Sequence, residues 1–218
     1  DLTELSNLKK YTAAKYITPA RWIHPQKVNL NLMQQIAVNL IFNTIETEKI
    51  FSINGPPGTG KTTLLKDIIA NIITLRALKL AKFKVPEELF KDHIGDVFAV
   101  NPVIKNFNIV VASANNKAVE NVTKEIPVLN SVDQACLEKY ELNYFRNVAK
   151  SVYEYKGENK KNNEEHKPPA VTDNGQQYWA LISAVLGKME NRDKFFGALE
   201  EYFEDLFSSI PPVDWESA

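Results

Sequence analysis

The chain has 218 residues, of which 44% are hydrophobic, enough to bury a sizeable core in one large domain or in a core with an insertion. Its net charge of −1 lacks the strongly basic footprint of many nucleic-acid-binding domains. The single cysteine, Cys136, excludes an internal disulfide and fits a reducing cytoplasm, and no apolar run approaches the ~20 residues of a membrane-spanning helix. We therefore expect a cytoplasmic chain with no membrane partner.

Residues 1–29 predict an irregular lead segment, because Pro19 and Pro25 interrupt any regular pattern. A helix is predicted from Asn31, where apolar residues recur at helical spacing as far as Ile45. Gln34 lies near the start of this helix. Its amide could bond both the donor and the acceptor edge of adenine, or it could simply face solvent.

The segment Gly55-Pro56-Pro57-Gly58-Thr59-Gly60-Lys61-Thr62 matches the phosphate-binding pattern G-x-x-x-x-G-K-[ST]. An apolar run at 50–53 predicts a β-strand before it, and a helical pattern follows it. The glycines let backbone N–H groups approach a nucleotide's phosphates, and the helix N-terminus attracts the same anion. We therefore predict that residues 55–62 and Thr63 bind a nucleotide. Within this site Lys61 and Thr62 would be the catalytic residues, Lys61 reaching the β- and γ-phosphates and Thr62 ligating Mg²⁺.

A second strand–loop–helix unit is predicted further along, after a mixed connection at 82–106. Residues 108–112 are apolar and suit a buried parallel strand, and a helix stopped by Pro127 follows the polar run Ser113-Ala114-Asn115-Asn116-Lys117. Ligands bind at the carboxyl ends of strands in open α/β sheets, whereas a helix cap would explain only one of these polar residues.

The remainder of the chain, residues 131–218, has a mostly helical pattern. Residues 131–155 are helical in spacing, and a polar stretch near 156–176 predicts a mobile loop. Two further helices are predicted between Tyr178 and Phe207. The cysteine and histidines have no zinc-ligand spacing.

Three stretches together resemble superfamily 1 helicases, specifically the group that includes the nonsense-mediated-decay helicase. They are Leu30-Asn31 with Gln34 and Ala37-Val38, similar to an adenine-reading glutamine motif; GPPGTGKT at 55–62, also the usual form in AAA+ ATPases; and Ser113 to Asn121, similar to an S/T-N-x-A-V-D/E motif that touches single strands. Asn115 stands where that last motif has Ser or Thr.

The resemblance covers about residues 28–127 and implies a P-loop NTPase with an α/β fold built on a RecA-like parallel sheet. The core would span 30–130, after the lead segment, and 131–218 would be a mostly helical insertion. Gln34 would recognise adenine, and Lys61 and Thr62 would hold the phosphates of ATP and Mg²⁺. Ser113, Asn115 and Asn116 would contact single-stranded DNA or RNA.

The chain departs from the helicase pattern after this point. The family next needs an apolar strand ending in Asp-Glu, but Asp96 precedes its apolar run and Asp214 has no strand before it. A second RecA-like domain and its arginine finger are also missing from the sequence. Because the chain starts with Asp, we expect a fragment whose remaining motifs lie in a C-terminal partner region beyond Ala218. Without the carboxylate and the arginine finger, we expect it to bind ATP with little turnover.

Two other classes of protein remain open. An AAA+ or signalling NTPase acting as a nucleotide-dependent assembly switch shares GPPGTGKT but does not call for Gln34 or the polar run at 113–117. A small-molecule P-loop kinase would need a basic lid, for which the polar loop is the one candidate. A GTPase is disfavoured because Asn116-Lys117 is not followed by the x-Asp of a guanine-reading motif.

Overall fold

The computed structural model describes residues 4–25, 28–44, 50–56, 58–94, 97–114, 116–141, 145–154 and 175–209. The chain divides into two compact units, residues 1–112 and 113–218. The division at residues 29 and 130 stays a prediction. No helix within the described ranges combines the length and apolar character that a membrane crossing requires.

The first unit is built mainly from helices. Its elements are α1 (Leu5–Thr12), α2 (Leu32–Thr44), α3 (Lys61–Leu80), β1 (Phe90–Ile94), β2 (Val97–Val100) and α4 (Pro102–Lys105). The core lies where α2 packs on α3, around Val38, Leu64 and the nearby Leu30. The helices predicted from Asn31 and after the glycine-rich loop are therefore confirmed.

The sequence predicted an irregular lead segment, and this prediction is wrong for part of it. Residues Leu5–Thr12 form α1, which packs against α2, and a 3₁₀ turn follows at Ala14–Tyr16. Pro19 and Pro25 lie after these elements, so they limit where the helix can extend without preventing it. Trp22 of this segment is buried, so it contributes to the core.

The predicted parallel sheet is not confirmed. Within the described residues the only sheet is the antiparallel pair β1–β2, which lies in the stretch that the sequence read as a mixed connection. Residues 50–53 and 108–112 form no strand, and Ile50 and Val110 are each 89% exposed. A strand needs a hydrogen-bonded neighbour, and neither run has one among the described residues.

The second unit is also helical. Its helices are α5 (Asn116–Glu125), α6 (Gln134–Lys139), α7 (Arg146–Glu154) and α8 (Met189–Ser209). The helix before Pro127, the helical character of 131–155 and the last helix are confirmed. The polar loop predicted near 156–176 lies outside the described residues up to 174.

The helix predicted from Tyr178 to Met189 does not form. Tyr178 instead makes an antiparallel bridge to Val128, and the N–H of Trp179 donates to the Pro127 carbonyl at 2.9 Å. The Tyr153 hydroxyl then holds the following segment, donating to the Ser183 carbonyl at 2.7 Å. These long-range bonds satisfy the backbone groups that a helix would have used.

Candidate nucleotide-binding site

The predicted phosphate loop ends at the N-terminus of a 20-residue helix, α3. Gly58 and Gly60 both have positive φ, +80° and +75°. Gly60 is the last residue before the helix, and its carbonyl accepts a bond from the Leu64 N–H at 3.0 Å. These left-handed residues bend the chain into the helix, so the first N–H groups of α3 are available to an anion.

Gly60 is also held to glycine by its surroundings. A Cβ at this position would lie 2.5 Å from the Gln34 Nε2 atom. At Gly58, by contrast, a Cβ would meet nothing within 4 Å. Gly58 is thus favoured by its conformation alone, whereas a side chain at Gly60 would also displace the Gln34 amide.

Gln34 holds the loop against the start of α2. Its Nε2 donates to the Thr59 carbonyl at 2.9 Å and to the Gly60 carbonyl at 3.2 Å, a pair of bonds that we call the Gln34 clasp. The Oε1 atom accepts from the Asn31 N–H at 2.8 Å, and the Asn31 side chain accepts from the Gln34 N–H at 2.9 Å. This reciprocal arrangement is a capping box at the N-terminus of α2, with Asn and Gln in the usual Ser/Thr and Glu/Gln positions.

The Gln34 clasp limits how Gln34 can make the predicted contact with adenine. Both polar atoms of the Gln34 amide are bonded to this chain's own backbone. An adenine edge would therefore have to take the Nε2 hydrogens from the loop carbonyls or use the second lone pair of Oε1. The structure links Gln34 to the phosphate loop, which the sequence motif alone did not indicate.

The Lys61 ammonium lies over the loop. It donates to the Gly55 carbonyl at 2.7 Å and to the Pro56 carbonyl at 2.8 Å. The Thr59 hydroxyl also donates to the Pro56 carbonyl, at 2.9 Å. A phosphate oxygen would exchange these neutral acceptors for a charged one, which is the stronger bond to an ammonium.

The Thr62 hydroxyl is an oxygen ligand suited to Mg²⁺. The Thr62 side chain is exposed in the first turn of α3, and Thr63, beside it, is half-buried. Mg²⁺ keeps several waters and takes most of its charge from substrate phosphates, so one hydroxyl is a fitting protein contribution. The described residues contain no group of three or more His, Cys, Asp or Glu side chains that could hold a metal independently.

A buried polar network that the sequence did not predict fixes the lead segment to α3. Asp67 is 1% exposed, and its carboxylate accepts from the Trp22 N–H at 3.3 Å and lies 2.8 Å from the His24 Nε2. Arg21 adds an ion pair at 3.8 Å, and its Nη2 donates to Asn39 of α2 at 3.1 Å. Asp67 lies more than forty residues from Trp22 and His24 along the chain, so no local pattern could have indicated these contacts.

The residues predicted to contact single strands belong to the second unit. Ser113 is exposed, and α5 begins at Asn116. Asn115 of this motif and Pro57 of the phosphate loop lie outside the described residues.

A glycine loop that leads into a helix, with lysine and threonine in the first turn, defines the class of P-loop nucleotide-binding proteins. A family model described as an AAA domain matches residues 29–195. The chain belongs to this AAA-domain family, which fits a superfamily 1 helicase-like P-loop domain that binds a nucleotide. Searches of curated proteins and of solved structures gave no match.

Proposed function

We propose that this chain is the ATP-binding motor portion of a helicase or nucleic-acid translocase of the nonsense-mediated-decay helicase group. In the full-length protein, ATP hydrolysis would drive movement along single-stranded DNA or RNA. The observation that carries the proposal is the Lys61 ammonium, 2.7 Å from the Gly55 carbonyl and next to the N-terminus of α3. A cation and unpaired helix N–H groups converge there on a place for phosphates.

The residues of the loop divide the work of binding. Backbone N–H groups of Gly58, Thr59 and Gly60 would surround the phosphates, since Pro56 and Pro57 have none. Lys61 would pair with the β- and γ-phosphates, and Thr62 would ligate Mg²⁺ beside Thr63. Phosphoryl transfer depends mainly on placing positive charge around the γ-phosphate. These residues supply that charge on one side, so we propose that the chain holds ATP with little turnover by itself.

Gln34 would give the site its preference for adenine. We propose that its amide exchanges the Gln34 clasp for the base, so that nucleotide binding is coupled to the position of the loop. Competition between ATP and GTP should then show several-fold discrimination, and Gln34→Ala should reduce it. Equal competition by the two nucleotides on the unchanged protein would show that the site reads phosphates only.

Single strands would be bound through Ser113, Asn115 and Asn116 before and at the start of α5. The division into a lead segment, a core to residue 130 and a helical insertion is part of the same proposal, as is a cytoplasmic location, which the single cysteine supports.

The alternative is an AAA+ or signalling NTPase that acts as an assembly switch, and the family match is compatible with it. The polar run at 113–117 and the contact of Gln34 with the loop favour the motor. Anisotropy of a labelled single-stranded oligonucleotide, measured at low salt with and without a non-hydrolysable ATP analogue, discriminates the two. A motor should bind the strand with a nucleotide-dependent affinity, because linked sites shift one another reciprocally.

Asn116→Ala should weaken the strand affinity in that assay while leaving ATP affinity unchanged. Nucleotide-dependent association of the chain with itself, without strand binding, would replace the motor by the assembly switch.

A further inference from the structure

A cavity of about 430 Å³ opens in the second unit, and the proposed function does not use it. It lies among the end of α5, the end of α7, the start of α8 and the segment 176–178. Its volume is within the range of small-ligand sites.

Aromatic and apolar groups line one part of the cavity. The rings of Tyr153 and Tyr178 are 5.1 Å apart between centroids, and Phe195 lies on α8 nearby in the lining. The amide side chains of Gln176 and Asn191 contribute polar groups to the same lining. A lining of aromatic rings and amides suits a flat ligand with polar edges. The face of such a ligand can stack on the rings, and its edge can hydrogen-bond to the amides.

Lysines line the cavity from two helices. Lys124 of α5 pairs with Glu120 at 2.5 Å, and Lys194 of α8 pairs with Glu190 at 2.7 Å. Bonding to these lysines lowers the pKa of both glutamates, and Lys188 contributes to lowering each of them. The end of α5 and the start of α8 lie side by side, because Lys124 and Lys194 line the same cavity.

Lysines supply positive charge beside the cavity. Lys124 and Lys194 line it, each paired with one glutamate, and Lys188 acts on both of those glutamates. Lys124 and Lys194 remain 65% and 39% exposed despite their ion pairs, so their ammonium groups can also reach a bound anion. Aromatic rings with lysines beside them suit a nucleotide unit, because the base can stack on the rings and the phosphate can pair with the ammonium groups.

The position of α5 favours a strand over a free nucleotide. The helix begins at Asn116, in the polar run proposed to contact single strands, and its other end lines the cavity. Its 10 residues span about 15 Å. Lys117, Glu120 and Lys124 share one face of it, so a single strand could follow that face from one end to the other.

We propose that this cavity binds one nucleotide of the same single strand that the polar run at 113–116 contacts, the base lying on the Tyr178 side and a phosphate between Lys124 and Lys194. This inference rests on the proposed function, and it adds a second strand contact within the helical second unit.

The test is the fluorescence anisotropy of a labelled single-stranded oligonucleotide, measured over a series of salt concentrations. An oligonucleotide of about twelve nucleotides is long enough for known single-strand-binding sites. Ala184→Trp places a large side chain in the cavity without removing any of the contacts described above. It should weaken binding about tenfold by displacing the stacked base, with little change in the salt dependence. Lys124→Ala with Lys194→Ala should weaken binding and reduce the salt slope by about 0.7, the contribution of the one single-strand phosphate proposed to lie between the two lysines.

Lys139→Ala is the matched control, an exposed lysine of α6 that packs over the Tyr140 ring outside the cavity. It should change neither affinity nor slope. Thermal melting of each variant verifies that the second unit still folds.

The outcomes separate this inference from the proposed function. If the unchanged protein binds the strand and Ala184→Trp binds it equally well, the cavity is not a strand site, although the motor proposal stands. If the unchanged protein binds no strand at low salt, both fail together. Binding of free AMP that Ala184→Trp abolishes, while strand affinity is unaffected, would assign the cavity to a free nucleotide and overturn the strand contact.

Discussion

Replacing the two loop glycines with alanine separates the conformational requirement of the loop from the Gln34 clasp. Both glycines have positive φ, which costs an alanine about 1–2 kcal/mol. At Gly58 a Cβ meets no atom within 4 Å, so Gly58→Ala should incur the backbone cost alone. At Gly60 a Cβ lies 2.5 Å from the Gln34 Nε2, so the amide must move and both bonds of the clasp are lost.

The magnitudes follow from those contacts. Each bond of the clasp contributes about 0.5–1 kcal/mol net, because the Gln34 side chain is partly exposed. Gly60→Ala should therefore lower the free energy of unfolding by about 2–4 kcal/mol, against about 1–2 kcal/mol for Gly58→Ala. In a Gln34→Ala background the obstructing amide is gone, so the two glycine substitutions should cost the same.

Urea unfolding followed by circular dichroism measures these free energies for the single and double variants. Gly60→Ala and Gln34→Ala should show an interaction energy of about 1–2 kcal/mol, whereas Gly58→Ala and Gln34→Ala should be additive. Equal losses for Gly58→Ala and Gly60→Ala in the unchanged background would refute the reasoning. Additivity of Gly60→Ala with Gln34→Ala would refute it as well.

Two further predictions concern the polar groups that hold each unit. Asp67→Ala should destabilise the first unit by about 3 kcal/mol in urea unfolding, because the groups packed on it lose a buried acceptor; exposed Glu87→Ala should change it by less than about 0.5 kcal/mol, and equal effects would contradict the burial argument. Burial raises the pKa of the Tyr153 phenol above its value in the unfolded chain, about 10. The stability that the protonated phenol contributes is therefore complete below about pH 10 and is lost as the pH rises through the folded pKa. Tyr153→Phe should cost about 1–3 kcal/mol at neutral pH and remove that alkaline loss, while Tyr140→Phe, 60% exposed, should do neither; an unchanged alkaline profile in Tyr153→Phe would contradict this assignment.

The helices were predictable because their signals are local. The apolar spacing predicted α2, in which Ile36 and Ile41 are buried, and Pro127 ends the helical pattern of α5 within two residues of its observed end. Each of these signals lies within about one or two turns of the residue that it affects.

The strands could not be predicted with the same success, because a strand depends on a partner that the local sequence does not specify. The run at 108–112 has the composition of a buried strand, yet Val110 is 89% exposed and unpaired among the described residues. The segment at Tyr178 shows the opposite case. Its apolar spacing predicted a helix, but Tyr178 forms a β-bridge with Val128, fifty residues earlier. The presence of a long-range partner decided the structure at Tyr178, and the lack of one among the described residues decided it at 108–112.

The candidate site was predictable as far as its motif extends. The glycine and lysine spacing indicated the loop, and Gly58 and Gly60 have the left-handed conformations that it requires. The Gln34 clasp and the contact of Asp67 with His24 join residues 25 to 43 positions apart, so they depend on how α2, α3 and the lead segment pack. The sequence marked Gln34 for its motif, whereas only the structure shows which backbone groups it holds.

The central claim is that the loop at 55–62 binds ATP through Lys61, and titration of a fluorescent ATP analogue tests it most directly. The unchanged chain should bind the analogue in the presence of Mg²⁺, and Lys79→Ala, an exposed lysine in the last turn of the same helix, should bind it equally well. Lys61→Ala should weaken binding tenfold or more, since a charged hydrogen bond to phosphate contributes about 1.5–3 kcal/mol. An affinity of Lys61→Ala equal to that of the unchanged chain would contradict the assignment of the site.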